Sequence, residues 1–353
     1  MHALLRPNSE LGNGQPKMTR IVFLDRGTMA PLKQLMRPSF QHEWVEYDRT
    51  APEQVVERLK NCDIAISNKV PIRRGTIERL PQLKMIVIPA TGYDAFDIDA
   101  CYEKGIVVSN VRGYAINTVP EHTFALILAL KRSLPGYRQD VIAGKWQEAN
   151  QFCFFAHPIG DLAGLVLGIF GEGVIGQRVA RLGEAFGMHP LFAAHKGVSG
   201  LGPLYTPFNE VLATADIITL HSPLVLGTRN MLAMPEFRQM KKRPLVINCS
   251  RGGLVNEADL VKALDLDLIS GIGFDCLTSE PPKPDNPLLS ILDRPNVIVT
   301  PHIAWASIEA VQAVWDQVLC NIDNFHQGRP SNVVDTPLAT GASTKTTNFQ
   351  KSA

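Results

Sequence analysis

The stretch that most constrains this chain is Leu-Ala-Gly-Leu-Val-Leu-Gly-Ile-Phe-Gly-Glu-Gly-Val-Ile-Gly at 162–176. The apolar run 165–170 suits a strand buried on both faces of a parallel sheet, and Gly171, Gly173 and Gly176 follow it at the G-x-G-x-x-G spacing. In a strand–turn–helix unit, Gly171 allows the tight turn and Gly173 lets the backbone approach a pyrophosphate. Gly176 lets the helix that opens with Val174 and Ile175 pack closely on the strand. Free amides at that helix start then face the phosphates. The same spacing also serves as a plain packing turn, but the amphipathic continuation at 177–186 favours a dinucleotide site.

A chain of 353 residues has room for two domains. Its formal net charge of +1, with 20% charged residues, gives no reason to expect nucleic acid or a membrane surface as a partner. No apolar run reaches the roughly 18 residues needed to span a bilayer. The six cysteines lack C-x-x-C spacing, which fits reduced thiols in a cytoplasmic enzyme and no metal site. Residues 1–17 are rich in Pro, Asn and Gly without an apolar signal core; they are expected to form a disordered leader, with Met18 as an alternative start.

From residue 20 the chain alternates strand-like and helix-like patterns. Strands are predicted at 21–25, 63–68, 84–91 and 106–110, and helices at 52–61, 76–83 and 98–104. A long apolar helix follows at 119–132, with Glu121 in its first turn and Lys131 in its last, as the helix dipole favours. After the glycine motif, strands are predicted at 190–194, 216–221, 244–250, 270–275 and 296–300. An amphipathic helix at 307–326 leads back to the first domain, whose sheet 332–334 would complete. The fold class is therefore α/β, with two doubly wound parallel-sheet domains. One comprises 18–117 and 307–335, the other is inserted as 118–306, and 336–353 reads as a disordered tail.

Three further stretches place polar residues straight after a strand, where ligands bind in a doubly wound sheet. In Asn248-Cys249-Ser250-Arg251-Gly252-Gly253, Arg251 offers a planar fork for a carboxylate, or else caps a surface turn. Glu280 follows the strand ending at Asp275, and His302 follows the last strand. A Glu–His pair supplies a proton donor whose imidazolium the carboxylate stabilises.

These residues resemble the D-isomer-specific 2-hydroxyacid dehydrogenases over 18–334, and within that family most resemble the glycerate dehydrogenases, or hydroxypyruvate reductases. The resemblance is carried by the glycine turn, Leu220-His221-Ser222-Pro223-Leu224 with Thr228, the segments 248–255 and 273–280, and Thr300-Pro301-His302-Ile303-Ala304. It implies a Rossmann NAD(P)-binding domain inserted into a flavodoxin-like substrate domain. It also implies reversible reduction of hydroxypyruvate and glyoxylate to D-glycerate and glycolate. His302 is then the general acid and base, Glu280 its orienting partner, and Arg251 the carboxylate clamp. The same resemblance assigns dinucleotide contacts to Gly171, Gly173, Val174, Ile175, Gly176, Ser222, Pro223, Thr228, Cys249, Ser250, Arg251 and Asp275. Lys69, Val70, Thr91 and Gly92 match loops whose amides meet the substrate carboxylate, and a homodimer is implied, with 152–155 a candidate contact.

One departure bears on the coenzyme. The acid that grips the ribose of NAD belongs about 20 residues after the glycines. That position holds Ala194, followed by His195 and Lys196. Two potential cations in place of a carboxylate predict that NADP(H) is accepted and even preferred; the alternative is that both are solvated loop residues and NAD(H) binds through its other contacts. Phosphoglycerate and D-lactate dehydrogenases remain alternative activities, and a dinucleotide-sensing corepressor-like protein is the non-catalytic alternative. Formate dehydrogenases carry Gln in place of Glu280.

Overall fold

The computed structural model describes residues 18–336. The leader at 1–17 and the tail from 337 onward lie outside the described residues. Thr336, placed at the head of that tail by its polar surroundings in the sequence, is instead buried, and its hydroxyl bonds to Asp99. Contacts divide the chain into two units, Met1–Arg112 with Val311–Ala353, and Gly113–Ala310.

In the first unit, short apolar runs and intervening helices give β1 (Thr19–Phe23), β2 (His42–Glu46), α1 (Val55–Arg58), β3 (Ile64–Ile66), α2 (Arg74–Ile77), β4 (Met85–Val87), α3 (Ile98–Glu103) and β5 (Val107–Ser109). The five strands are parallel in the order β2-β1-β3-β4-β5. Strands β3 and β4 are wholly buried, as continuous Ile, Val and Met runs require. Strand β2 escapes sequence reading because none of its residues is fully buried, so it shows no apolar run. The segment 332–334 adds only an antiparallel bridge, Ser109 to Val333, rather than a further strand. The long helix Ile308–His326 closes this unit through Trp315, which is fully buried. Its ring stacks on Phe23 at 5.7 Å and its Nε1 donates to Met36 O at 3.0 Å. Truncating a ring buried in this way costs about 3–5 kcal/mol.

The second unit contains α4 (Thr118–Lys131), α5 (Leu134–Ile142), α6 (Lys145–Ala149), β6 (Val166–Phe170), α7 (Val174–Ala185), β7 (His189–Ala193), β8 (Tyr205–Thr206), α8 (Phe208–Thr214), β9 (Ile217–Leu220), α9 (Met234–Phe237), β10 (Leu245–Asn248), α10 (Glu257–Asp265), β11 (Gly271–Phe274) and β12 (Val297–Val299). The seven strands are all parallel, in the order β12-β11-β10-β9-β6-β7-β8. The winding direction reverses between β6 and β9, which opens a crevice at their carboxyl ends. Helix α4 buries Val119, Phe124, Leu126, Ile127 and Leu130 against this sheet. It crosses β11 so closely that a Cβ on Gly273 would lie 3.1 Å from Leu126 and 3.0 Å from Ile247. Helices α5 and α6 and the two-residue β8 have no counterpart in the sequence reading; α5 carries Pro135 and Gly136 in its first turn, which obscures its helical pattern.

His221, just after β9, shows how tightly the crevice floor is closed. Its Nε2 lies 2.9 Å from Thr219 Oγ1, while the buried Nδ1 has no partner among the described residues. Burial disfavours the imidazolium and pushes the ring down from 6.5 to about 3. Between those values the unfolded chain binds a proton that the folded one refuses, so stability is complete above about 6.5 and falls as pH drops towards 3. The urea midpoint of the wild type should therefore fall between pH 7 and pH 4 more steeply than that of His221→Gln. Equal slopes would refute this account.

Candidate active site

The turn after β6 has the geometry of a phosphate cradle. Gly171 sits at φ +120°, and a Cβ there would lie 2.5 Å from the His221 carbonyl carbon. A Cβ on Gly176 would collide with Gly171 O, so helix and turn touch backbone to backbone. Gly173 differs, because nothing lies within 4 Å of its Cβ position. It is the N-cap of α7 without a side-chain cap, and Val174 beyond it is exposed. Leading amides not capped by a side chain, open space over Gly173 and the positive end of a 12-residue helix fit a pyrophosphate. Ile175 packs instead against the core, and Gly176 is buried.

The other crevice residues are laced to this turn. Ser222 Oγ donates to Phe170 O at 2.9 Å, and Ser250 Oγ to Ser222 O at 2.8 Å, which ties together the ends of β6, β9 and β10. Thr228 Oγ1 donates to Pro223 O at 2.6 Å and shapes the loop after β9. These hydroxyls therefore build the crevice wall. Cys249 is buried, and its thiol is pushed up to about 12 by that burial, so it is a core residue and not a reactive one.

The loops that carry Arg251 and Glu280 run backbone on backbone. A Cβ on Gly252 would clash with Leu277 O. The Arg251 guanidinium donates from Nη1 to Ser250 O at 2.8 Å and has no carboxylate partner among the described residues. Glu280 is fixed at both oxygens: Oε1 accepts from Leu277 N at 2.9 Å, and Oε2 lies 2.6 Å from His302 Nδ1. Both side chains of this pair are about one third exposed, at 34% and 27%. With Nδ1 held by the carboxylate, Nε2 is the ring nitrogen left to exchange a proton.

His302 itself adopts φ +55°, an unfavourable left-handed backbone for a residue with a side chain. Such a residue costs about 1–2 kcal/mol unless its surroundings impose it. Here its amide bonds to Asp275 O at 2.9 Å, and the next two amides bond to the Asp275 carboxylate, Ile303 to Oδ1 and Ala304 to Oδ2, each at 2.9 Å. Thr300 Oγ1 donates to Oδ1 at 2.6 Å. Asp275, expected to face the nicotinamide, is thus fully enclosed and engaged in holding the loop that carries His302. Cys276, Glu280 and His302 also offer three potential metal-ligand atoms within 4.8 Å of one another, the one such group found among the described residues. Burial pushes the Cys276 thiol up, so it stays protonated, which favours reading Glu280 and His302 as a proton-transfer pair.

At the position expected to select the coenzyme, Ala194 is buried, and its neighbours are already partnered. Lys196 Nζ pairs with Glu236 at 2.9 Å and does not stand free for a 2′-phosphate. His195 lies 3.4 Å from Glu172, the residue between the first two glycines. A carboxylate from the glycine turn, Glu172, therefore lies beside the residue that follows Ala194.

In the first unit, Asp25 ends β1 and is buried, with its carboxyl raised by desolvation above the ordinary carboxylate value. It accepts the amides of Asn68 at 3.0 Å and Lys69 at 2.7 Å, with Val70 close by. Amides expected to meet a substrate are therefore taken by a carboxylate of the chain itself. The Lys69 side chain is exposed, Val70 is buried, and Thr91 Oγ1 donates to Val111 O at 2.9 Å, with Gly92 following at the carboxyl edge of the sheet.

Comparison with known proteins agrees with this geometry. Residues 124–304 match the D-isomer specific 2-hydroxyacid dehydrogenase, NAD binding domain. A putative 2-hydroxyacid dehydrogenase of Haemophilus influenzae is 46% identical over 87% of this chain and 98% of its own length. A glycerate dehydrogenase of Methylorubrum extorquens is 45% identical over 90% and 99%. The D-lactate dehydrogenase of Aquifex aeolicus, solved with NAD and lactic acid, superimposes with a TM-score of 0.73 at 25% identity, covering 88% of this chain and 96% of that one. The chain belongs to the D-isomer-specific 2-hydroxyacid dehydrogenases and is an NAD-dependent enzyme of that family.

Proposed function

We propose that this enzyme reduces hydroxypyruvate, and glyoxylate beside it, to D-glycerate and glycolate. The observation that carries the reading is the Glu280–His302 pair at 2.6 Å, beside a loop whose arginine has no carboxylate partner among the described residues. A 2-oxo acid needs an anion clamp, a proton donor and a hydride in line. When bound, the nicotinamide supplies that hydride in reduction and accepts it in oxidation. Arg251 holds the substrate carboxylate through its planar fork and polarises the carbonyl oxygen. His302 Nε2 gives that oxygen its proton, and Glu280 stabilises the ring by holding Nδ1. In oxidation the neutral ring takes the proton back. In the first unit, Thr91, Gly92 and the Lys69 side chain are the proposed substrate contacts. The relative named glycerate dehydrogenase supports the choice of substrate.

For the coenzyme, Gly171, Gly173 and the start of α7 would hold the pyrophosphate. Ala194 removes the usual ribose-gripping acid, but Glu172 brings a carboxylate to His195, and Lys196 is spent on Glu236. The expectation that NADP(H) is preferred loses its main cation, and use of both coenzymes is the reading these contacts support. Steady-state reduction of hydroxypyruvate, glyoxylate, pyruvate and phosphohydroxypyruvate with NADH and with NADPH tests both points. Hydroxypyruvate should lead in kcat/KM, with the two coenzymes within about tenfold, or about 1.4 kcal/mol, of each other. A lead for pyruvate or phosphohydroxypyruvate would overturn the substrate, and a hundredfold coenzyme bias would overturn the dual use.

The enzyme is further proposed to act as a homodimer through the face formed by α5, α6 and the following loop. Phe152 is 91% exposed and Phe155 83%, with Leu134, Ile142 and Trp146 exposed nearby in the chain. Large aromatics left in water on one unit mark a contact surface. Light scattering should give about twice the 38.8 kDa chain mass, and a shift to the single-chain mass in Phe152→Asp with Phe155→Asp. A wild-type monomer would refute the assembly.

A further inference from the structure

We infer that His122, on α4, is a positioning residue for proton transfer, acting through Thr300 and Asp275 on His302. The inference rests on His302 as the proton donor. Asp275 is fully enclosed, and among the described residues the ion-pairing side chain within 4.0 Å of it is His122, whose Nε2 lies 3.7 Å from Oδ1. Thr300 stands between them. Its hydroxyl hydrogen goes to Asp275 Oδ1 at 2.6 Å, so its lone pair is what faces His122 Nε2 at 3.1 Å. That arrangement requires the His122 proton on Nε2, and it directs a partial positive charge at a carboxylate that water does not reach.

The carboxylate in turn holds the amides of Ile303 and Ala304 on either oxygen, and these impose the left-handed backbone of His302. Helix α4 grips the same loop a second time, through Thr118 Oγ1 to Ala304 O at 2.9 Å. Its close approach to the sheet is possible because Gly273 has no side chain beneath Leu126 and Leu130. A chain of hydrogen bonds thus runs from the helix to the loop whose geometry sets the distance between His302 Nδ1 and Glu280 Oε2. Loss of its first member lets Thr300 turn away from Asp275, and the loop relaxes towards ordinary backbone angles.

The test compares the full-length wild type, His122→Ala, His122→Gln and His302→Ala. Gln keeps an N–H donor for Thr300. Misplacing a catalytic group by about 1 Å costs up to about a hundredfold, so His122→Ala should lower kcat by about 10- to 100-fold and leave KM for the 2-oxo acid within about threefold. The Gln variant should recover most of kcat. Proton NMR with labelled histidine supplies a readout that general destabilisation does not mimic: the downfield His302 Nδ1 proton signal should move in His122→Ala and return in His122→Gln. Unchanged kcat and signal in His122→Ala overturn the inference. So does a loss of activity that follows loss of melting temperature, with no rescue by Gln. If His302→Ala retains activity, the proton-donor reading itself has failed, which is a separate outcome.

Discussion

A carboxylate cut off from water organises the second unit. Asp275 directly follows β11 in full enclosure, and a buried charge of this kind persists only where hydrogen-bond donors meet it. Those donors are the Thr300 hydroxyl and the amides of Ile303 and Ala304, all from the segment after β12. The need to satisfy one carboxylate therefore joins the ends of two neighbouring strands and forces the residue between them, His302, into a backbone that costs energy alone. The placement of the His302 ring is here a by-product of solvation. Glu280 then has a fixed ring to address, with its own position fixed by the Leu277 amide.

Close backbone approach is the second constraint, and it acts where the sheet reverses. Gly171 against His221, Gly176 against Gly171 and Gly252 against Leu277 are each points where a side chain has no room. They gather the ends of β6, β9, β10 and β11 into one crevice. Gly173, with open space above it, is the exception that faces a ligand. The first unit repeats the architecture with a different outcome: at the reversal between β1 and β3, Asp25 takes up the Asn68 and Lys69 amides, so that crevice edge is closed by the chain's own anion.

What could be read in the sequence follows from where the signal lies. Strands buried on both faces are continuous apolar runs, so β3, β4, β6, β9 and β10 are plain, and the polar residues that follow them stand out. That is how the sequence singles out Arg251 after β10 as a candidate, with Glu280 and His302 beyond β11 and β12. Two of the four edge strands were not legible: β2 has no fully buried residue and β8 has two residues in all. Partnerships over long sequence distance were also invisible. Nothing in the residues 194–196 announces that Lys196 pairs with Glu236 or that His195 meets Glu172, and nothing beside Asp275 in the sequence announces that its carboxylate accepts the Ile303 and Ala304 amides. Each depends on which strand ends become neighbours, a property of topology that local composition does not contain.

The most direct test of the account separates binding from proton transfer in His302→Ala. Transient kinetics with hydroxypyruvate and the reduced coenzyme, beside a fluorescence titration of the coenzyme alone, measures both in one variant. The account predicts coenzyme affinity within about threefold of the wild type and a hydride-transfer step slowed about 10²- to 10⁴-fold, the usual contribution of a general acid. Wild-type hydride transfer in this variant would contradict it, and so would loss of coenzyme binding in place of loss of chemistry.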